Sequence, residues 1–394
     1  MCFRKGLMDM KQSVTVCAIL FCVLLFGMAA IFWVLPKKTF SVVEKRALQT
    51  RPKPDAASVL SGAYTDRLAD YYADQFPFRT DWVGLKGRAE ILLGKGENNG
   101  ILLGRDGRLA RRKFRMLTDS GAVGDADLIP SEQVEKACEG ILRAEKNLSV
   151  PLAVLLTGRN VDVSTDAFSY PNFFSDVLNN AVQKHLHGKV AAPDLITAFR
   201  EGGEDLYYRT DHHWTTAGAY LGYRTAMEAL GNADATLPPE AFRREVLSNS
   251  FYGTLWAAGG MQWVKPDTVE VWYRGNEDQF AVTADGRELE DFYALSRLSS
   301  GDDYAIFLDG THDEVMIRKK GENRPLLLVA RDSFASSLAP FLAQHYDLIL
   351  LNLSSTRKDY TNLSTLAGTY GADGVLIVYS LENLLTANRL PKLR

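Results

Sequence analysis

Cysteine is scarce in this 394-residue chain, and basic charge is not in excess. The cysteines are Cys2, Cys17, Cys22 and Cys138, and only Cys138 lies away from an N-terminal apolar stretch. One thiol cannot form an internal disulfide or build a cysteine zinc site. Residues 36–394 carry 42 Lys and Arg against 47 Asp and Glu, whereas domains that bind nucleic acid are usually basic. Because 46% of the residues are hydrophobic, the sequence predicts a folded protein stabilised by packing, without a nucleic-acid partner.

A long apolar run lies near the N-terminus, with no charged residue from Gln12 to Pro36. About 20 such residues cross a bilayer, whereas the apolar part of a cleaved signal peptide is usually about 7–15 residues long. We therefore predict a retained membrane anchor, while the small residues Gly27, Ala29 and Ala30 leave cleavage open. The predicted boundaries are a cytoplasmic tail at 1–12, a transmembrane signal-anchor at 13–35, a stalk at 36–59 and an extracytoplasmic domain at 60–394.

Lysines and arginines flank the apolar run on both sides, so their count does not decide its orientation. A short tail before one N-terminal span is the usual layout of a signal-anchor, and on this ground we predict that the N-terminus is cytoplasmic. The expected location is the cell membrane, with a single pass and the main domain outside the cytoplasm.

The chain beyond the stalk alternates between helical and continuous apolar patterns, which is typical of a parallel sheet covered on both faces. The turn residues Asp106 and Gly107 predict a hairpin within 98–109. The predicted fold class is α/β, with residues 233–320 as a strand-rich insertion or elaboration. The predicted strands are 151–157, 189–192, 326–330, 348–351 and 375–379, and the predicted helices are 131–147, 172–185, 334–345 and 361–370.

Two adjacent histidines stand beside an acid and a tryptophan in Asp211-His212-His213-Trp214. In an extended segment, residues i and i+2 point to the same side, so Asp211 and His213 would share a face. A carboxylate beside an imidazole holds one tautomer and stabilises the charged ring, as in a nucleophilic triad. The alternative is structural: a capped helix N-terminus with a core histidine nearby.

A second candidate is Ser333, which follows the predicted strand 326–330 and precedes a helix. The carboxyl ends of parallel strands are where α/β sheets place their ligands. The first turn of the following helix offers free N–H groups to an oxyanion. A serine at a strand end is also a common helix cap. Since Ser333 lacks a base and His213 lacks a nucleophile, the two motifs together predict more than either does alone.

Four motifs in order, FPFR at 76–79, NNGILLGRDGRL at 98–109, TDHHWTTAGAY at 210–220 and DSFASSLAPFL at 332–342, resemble the DHHW family of bacterial envelope proteins. These are relatives of the SGNH-like alginate O-acetyltransferase proteins, and the likeness runs from about residue 60 to the C-terminus. The resemblance implies an SGNH-hydrolase-like fold and a triad of Asp211, His213 and Ser333. It also implies acyl transfer to or from hydroxyls of a cell-surface or exported polysaccharide, beside a multi-span membrane-bound O-acyltransferase as partner.

The sequence departs from the ordinary SGNH pattern in two ways. Arg331 stands near the nucleophile where a glycine is usual, and no separate Gly and Asn for the oxyanion hole are evident. The weaker candidates for the oxyanion hole or for substrate binding are Gly253, Tyr252, Trp214 and Arg79. For Trp214 we favour a core position over stacking on a sugar, and for Arg79 a structural ion pair over an anionic ligand.

These residues predict a serine-dependent O-acetyltransferase, with an O-acetylesterase and a non-catalytic polysaccharide-binding or scaffold protein as alternatives. A metal hydrolase is a third alternative, because Asp211, His212, His213 and the pair His185 and His187 are of types that bind zinc or iron. Adjacent histidines diverge in most conformations and no HExxH spacing occurs, so we predict no metal and no cofactor. The acyl donor is expected to come from a partner or a small molecule.

Overall fold

The computed structural model of the protein describes residues 2–118, 123–125, 129, 131–168, 173–299, 301–386 and 389–394. The chain divides into two compact units, Met1–Ala89 and Glu90–Arg394.

The first unit is helical apart from one two-stranded ladder. Its first helix includes Ser13–Val34, a segment with a mean hydropathy of 2.8 that is long and apolar enough to cross a membrane. Pro77 separates two helices, one of which ends at Asp74 and the next of which begins at Arg79, since the residue before a proline disfavours the helical conformation. The last helix continues across the unit boundary. The elements are α1 (Cys2–Val34), β1 (Phe40–Ser41), β2 (Arg46–Ala47), α2 (Ala56–Leu60), α3 (Ala63–Asp74) and α4 (Arg79–Leu92).

The second unit begins with short antiparallel ladders. The predicted hairpin is confirmed, and its turn residues Asp106 and Gly107 have φ of 56° and 74°, the left-handed values that such a turn requires. The loop before the first long helix falls partly outside the described residues. The strands are β3 (Glu97–Asn98), β4 (Ile101–Leu103), β5 (Leu109–Arg111), β6 (Arg115–Leu117) and β7 (Val123–Asp125).

A seven-stranded sheet forms the centre of the second unit, in the order β12-β11-β13-β15-β14-β16-β8. The strands β15, β14, β16 and β8 are parallel to one another, and β12, β11 and β13 extend the sheet with antiparallel pairings. A separate hairpin pairs β9 with β10. The strands are β8 (Leu152–Thr157), β9 (Arg243–Phe251), β10 (Asp267–Tyr273), β11 (Phe280–Ala284), β12 (Arg287–Leu289), β13 (Glu314–Lys319), β14 (Leu326–Arg331), β15 (Asp347–Asn352) and β16 (Gly374–Ser380).

Two apolar cores lie on the two faces of this sheet. Because side chains alternate along a strand, Leu327 and Val329 of β14 face one core, while Leu328 and Ala330 face the other. The first core includes residues of α8, α9 and α11, and the second those of α5, α7, α12 and α13. The helices of this unit are α5 (Ser131–Asn147), α6 (Asn160–Val163), α7 (Phe173–Leu186), α8 (Leu195–Gly202), α9 (Thr216–Ala229), α10 (Thr254–Gly259), α11 (Ala335–Leu342), α12 (Leu363–Tyr370) and α13 (Leu381–Thr386).

The α/β class with helices on both faces is confirmed, with two corrections. The sheet is mixed, because the strand-rich region 233–320 supplies three of its strands, β11, β12 and β13, and β13 pairs antiparallel with β15. The predicted strand at 189–192 is a single bridge between Ala153 and Ala191. Apolar alternation marks a strand but does not say which neighbour it pairs with, so the sequence pattern did not distinguish an insertion from an edge of the main sheet.

Candidate active site

Ser333 lies in the turn between β14 and α11, at the carboxyl end of the central parallel strand. The preceding residue, Asp332, fixes this turn. Its backbone N–H donates to the carbonyl of Val378, and its carboxylate accepts hydrogen bonds from the N–H groups of Phe334 and Ser380. The turn that carries the serine is therefore tied to the neighbouring strand β16. The N–H of Ser333 itself donates to no group in the described part of the chain.

The segment that contains His212 and His213 approaches the Ser333 turn. It forms a loop closed by a β-bridge between Tyr207 and Trp214, and Thr215 caps the following helix α9. In this loop His213 Nδ1 lies 2.6 Å from Asp211 Oδ1, and His213 Nε2 lies 2.7 Å from Ser333 Oγ. Because a carboxylate only accepts, Nδ1 carries the proton and Nε2 accepts the hydrogen bond of the hydroxyl. The structure therefore joins the two predicted motifs across 120 positions of sequence.

Asp211 is held as an anion by its surroundings. It is fully buried, and burial by itself raises the pKa of its carboxyl group. The charges of His212 and His213, with the hydrogen bonds from His213 and from the Thr254 N–H, outweigh burial and hold this pKa well below its usual range. Its other oxygen accepts from Thr254 N at 2.7 Å and Thr254 Oγ1 at 3.0 Å. A charged Asp211 stabilises a positive charge on His213.

Gly253 has a different role from the oxyanion donor considered above. Its N–H donates to Thr210 Oγ1 at 3.0 Å, so this donor is already used. A Cβ at this position would lie 2.2 Å from the Cβ of Asp211. Gly253 therefore lets the Thr254 backbone approach the Asp211 carboxylate. It is not the oxyanion donor that the sequence suggested, because its N–H is already bonded to Thr210.

We expect Gly253→Ala to displace Asp211 and to destabilise the protein by about 1–3 kcal/mol, the usual cost of overpacking a filled site. The measurement is thermal unfolding beside the rate of ester cleavage. Gly368→Ala, in helix α12, is the matched control for stability, because no atom lies within 4 Å of a Cβ there and its φ is not positive. Equal activity in the Gly253→Ala protein and the unchanged protein would contradict the role given to this glycine.

Tyr304 is a site residue that the sequence analysis missed. Its ring stacks on the imidazole of His213, with centroids 3.7 Å apart and 6° between the planes. Its hydroxyl lies 3.1 Å from the Ser333 carbonyl oxygen and 3.1 Å from Ser337 Oγ, to which Trp214 Nε1 donates at 2.8 Å. The tyrosine thus contacts the imidazole and the backbone of the serine together. It lies in a short 3₁₀ segment without a motif, so no sequence signal marked it.

We expect Tyr304 to act as a positioning residue. Tyr304→Leu removes the stacked ring and should lower kcat by about 10²-fold with a smaller change in KM, the scale of a small misplacement of reacting groups. Tyr304→Phe keeps the ring and should restore most of kcat. If the Leu and Phe variants lose activity equally, the ring does not position the imidazole.

Arg331 is completely buried behind the serine. Burial lowers the pKa of its guanidinium, and the charge of Asp332 and the hydroxyl of Tyr304 oppose that effect. Its Nη2 donates to the His312 carbonyl at 3.2 Å, and its Nε has no partner among the described residues. Because a guanidinium keeps its proton at neutral pH, a fixed positive charge lies at the base of the Ser333 turn.

The remaining predicted site residues each have structural contacts of their own. Trp214 is fully buried and stacks on Phe199, so it fills the core. Tyr252 contacts the ring of Trp256, and Arg79, in the first unit, donates to Glu44 at 2.9 Å in the ion pair that the sequence analysis favoured.

The three potential metal ligands Asp211, His212 and His213 lie within 4.8 Å of one another. Their atoms already have protein partners. His213 uses both ring nitrogens as described above, and His212 Nδ1 lies 2.7 Å from Thr254 Oγ1. The arrangement fits a hydrogen-bonded relay to Ser333 better than it fits a ligand set.

A cleft of about 310 Å³ opens beside His212 and Phe334, the chain neighbours of His213 and Ser333. It contains three guanidinium groups and one carboxyl group, Glu382. Burial raises the pKa of Glu382, and the charges of the arginines oppose that rise. The cleft is therefore basic and polar. Its arginines are Arg111, Arg115 and Arg159.

Comparison with known proteins identifies relatives of this chain. A family profile described as an SGNH hydrolase-like domain, acetyltransferase AlgX, matches residues 162–289, which include Asp211 and His213 but not Ser333. A probable alginate O-acetylase AlgJ from Pseudomonas fluorescens is 25% identical over 182 residues. That match covers 45% of this chain and 45% of the relative, so the chain spans less than half the length of the curated protein.

Two solved structures share the fold. A DHHW family protein from Eubacterium siraeum superposes with a TM-score of 0.56 and 17% identity, covering 75% of this chain and 95% of the other. Bacillus cereus PatB1, in a structure with a sulfonyl adduct, superposes with a TM-score of 0.57 and 20% identity, covering 71% and 98%. At these identities the likeness concerns the fold alone. Together with the sequence matches it confirms the resemblance drawn from the motifs: this chain is a relative of the SGNH-like alginate O-acetyltransferase proteins.

Proposed function

We propose that this protein is a membrane-anchored O-acetyltransferase that moves acetyl groups onto hydroxyls of a cell-surface or exported polysaccharide. The observation that carries the proposal is the hydrogen-bonded series Asp211, His213 and Ser333 at the carboxyl edge of the sheet. The relationship to alginate O-acetylases supports polysaccharide acetylation as the process. Both lines of support concern the second unit.

The reaction begins with proton transfer from Ser333 Oγ to His213 Nε2, as Oγ bonds to the acetyl carbonyl carbon of the donor. The buried carboxylate of Asp211 stabilises the resulting imidazolium. The unused N–H of Ser333, at the start of the turn into α11, is the donor we assign to the tetrahedral oxyanion, and the fixed charge of Arg331 favours negative charge in the same region. His213 then returns its proton to the leaving group, which leaves an acetyl ester on Ser333.

The second half of the reaction reverses these roles. A sugar hydroxyl gives its proton to His213 Nε2 and attacks the acetyl ester, and the proton then passes to Ser333 Oγ as the ester bond breaks. The polar cleft beside the site supports a glycan as acceptor. The guanidinium groups of Arg111 and Arg115 suit a glycan that carries carboxylates, whereas Arg159 is already paired with the buried carboxylate of Asp162. Water in place of the sugar would make the protein an esterase.

The apolar segment Ser13–Val34 supports a single-pass anchor. We propose that the second unit lies outside the cytoplasm, where an exported polysaccharide is found. We further propose that a multi-span membrane-bound O-acyltransferase supplies the acetyl group, because acetyl donors are made inside the cell and this chain has one candidate span among its described residues.

The test uses the full chain in detergent with p-nitrophenyl acetate as donor and a panel of neutral and acidic oligosaccharides as acceptors. The expected product is an oligosaccharide heavier by one acetyl group, found by mass spectrometry, and absent with Ser333→Ala. Free acetate as the only product with every acceptor would favour the esterase. Equal rates for the unchanged and Ser333→Ala proteins would favour a scaffold.

A sulfonyl fluoride gives a second readout that needs no acceptor, because such reagents react with activated serine hydroxyls. We expect one adduct per chain, on Ser333, formed much more slowly in His213→Ala. Labelling of several serines at equal rates would show that the hydroxyl is not activated.

A further inference from the structure

The first unit contains an apolar surface that the acetylation site does not use. It consists of Tyr72, Phe76, Phe78, Trp82 and Leu85, called here the collar, and each of these side chains is between 42% and 58% exposed. Soluble surfaces rarely place so many large apolar side chains close together unless something covers them.

The collar begins where α3 packs on the end of the apolar helix. The ring of Phe32 lies 6.1 Å from that of Tyr71 and 5.3 Å from that of Tyr72, between centroids. Phe32 is only 7% exposed, whereas its neighbour Trp33 is 66% exposed. The end of the candidate span is therefore bound to α3. Aromatic side chains in this position are typical of the boundary between membrane and water.

An apolar groove of about 450 Å³ runs along the candidate span beside this contact. One wall belongs to α1, from Phe21 to Trp33, and the other includes Tyr72 and Phe76. At 1.5 Å per residue, these 12 steps of helix extend about 18 Å. If Ser13–Val34 spans the bilayer, the α1 wall of the groove lies at the depth of the acyl chains. Phe76, on the opposite wall, then lies next to the acyl chains.

The collar continues on helix α4. Phe78 immediately precedes this helix. Trp82 and Leu85 lie within it, four and seven positions after Phe78, which is the spacing of a single helix face. The exposed residues beside this face carry charges of both signs, Lys86 and Arg88 against Asp81. Large apolar side chains exposed together on one side of a helix indicate a surface that something covers.

We infer that the collar inserts into the leaflet that contains the C-terminal end of α1. The inference rests on the proposed membrane anchoring. A lipid surface is the occupant that the structure favours, because one groove is lined both by the lipid-facing side of the candidate span and by Tyr72 and Phe76 of the collar. The first unit then holds the chain by a span and by a surface helix together.

The test uses the full chain, with its native cysteines replaced, in lipid nanodiscs. A nitroxide is attached at Leu85→Cys, at Val23→Cys within the span, and at Asp66→Cys as an exposed control on α3. Collision rates are measured with oxygen, which concentrates in lipid, and with a water-soluble nickel chelate. We expect positions 23 and 85 to favour oxygen and position 66 to favour nickel.

The outcomes separate the two proposals. If position 23 favours oxygen and position 85 favours nickel, the collar is not inserted although the anchor is. If position 23 also favours nickel, the anchor itself fails. If position 85 is inaccessible to both reagents, protein covers the collar, and the lipid inference is overturned.

A second measurement avoids cysteine replacement. In vesicles with bromine on the lipid chains, the unchanged protein should lose a larger fraction of its tryptophan fluorescence than Trp82→Phe does. Equal fractional quenching would place Trp82 outside the lipid and overturn the inference, whatever the spin labels show for the span.

Discussion

Ser333→Ala should lower kcat/KM for p-nitrophenyl acetate by about 10³-fold or more, and His213→Ala by a similar factor. The reason is that Ser333 Oγ and His213 Nε2 lie 2.7 Å apart and act as one unit. Without the histidine the serine has no base, and without the serine the histidine has no nucleophile to activate. The measurement is steady-state ester cleavage by purified full chains, with thermal unfolding to show that each variant is folded.

The double variant Ser333→Ala, His213→Ala is the decisive comparison. Because the effects of substituting residues that act as one unit do not add, the double variant should be no slower than either single variant. His187→Ala is the matched control, since His187 is exposed and belongs to none of the contacts described for the site. A loss in the double variant equal to the product of the two single losses would show that the residues act independently, against the mechanism proposed above.

Asp211→Asn should lower kcat on the order of 10⁴-fold if the aspartate orients the imidazole as it does in serine hydrolases. The amide cannot stabilise a charged imidazole, and it can donate to Nδ1 and so favour the wrong tautomer. Asp205→Asn is a matched control on an exposed carboxylate that pairs with Arg108. A loss below about tenfold would place Asp211 outside the mechanism and leave it a structural role.

The same substitution has a defined pH dependence in stability. The pKa of Asp211 is well below its usual value in the folded protein, so the folded state favours the charged form. That contribution is fully present above the ordinary pKa of an aspartate and is lost as pH falls through the depressed pKa. The difference in free energy of unfolding between the unchanged protein and Asp211→Asn should therefore be constant near neutral pH and shrink in acid. A difference that grows in acid would contradict this sign.

The local sequence pattern was enough to predict the structural elements that carry the two motifs. The continuous apolar strand before Ser333 and the period-two spacing of Asp211 and His213 each follow from residues adjacent in sequence, and both features are present in the structure. The likeness to known proteins rested on four such motifs and is confirmed by the comparisons.

The errors fall where partners are distant in sequence. Gly253 was one of the weaker candidates for the oxyanion hole, but only the fold shows that its N–H is bonded to Thr210 and that its missing Cβ makes room for Asp211. Tyr304 escaped notice because a ring that stacks on His213 from 91 positions away leaves no periodic signal.

The sequence by itself determined the apolar helix, the strand and helix pattern, and which side chains have the chemistry for acyl transfer. These depend on composition and on spacing within a few residues. Tertiary structure decided that Ser333 meets His213, that β13 joins the sheet in an antiparallel sense, and that the Arg331 charge lies behind the serine. Each of these is a contact between segments far apart in the chain, and such contacts are selected by how the whole core packs, a quantity that no local window of sequence contains.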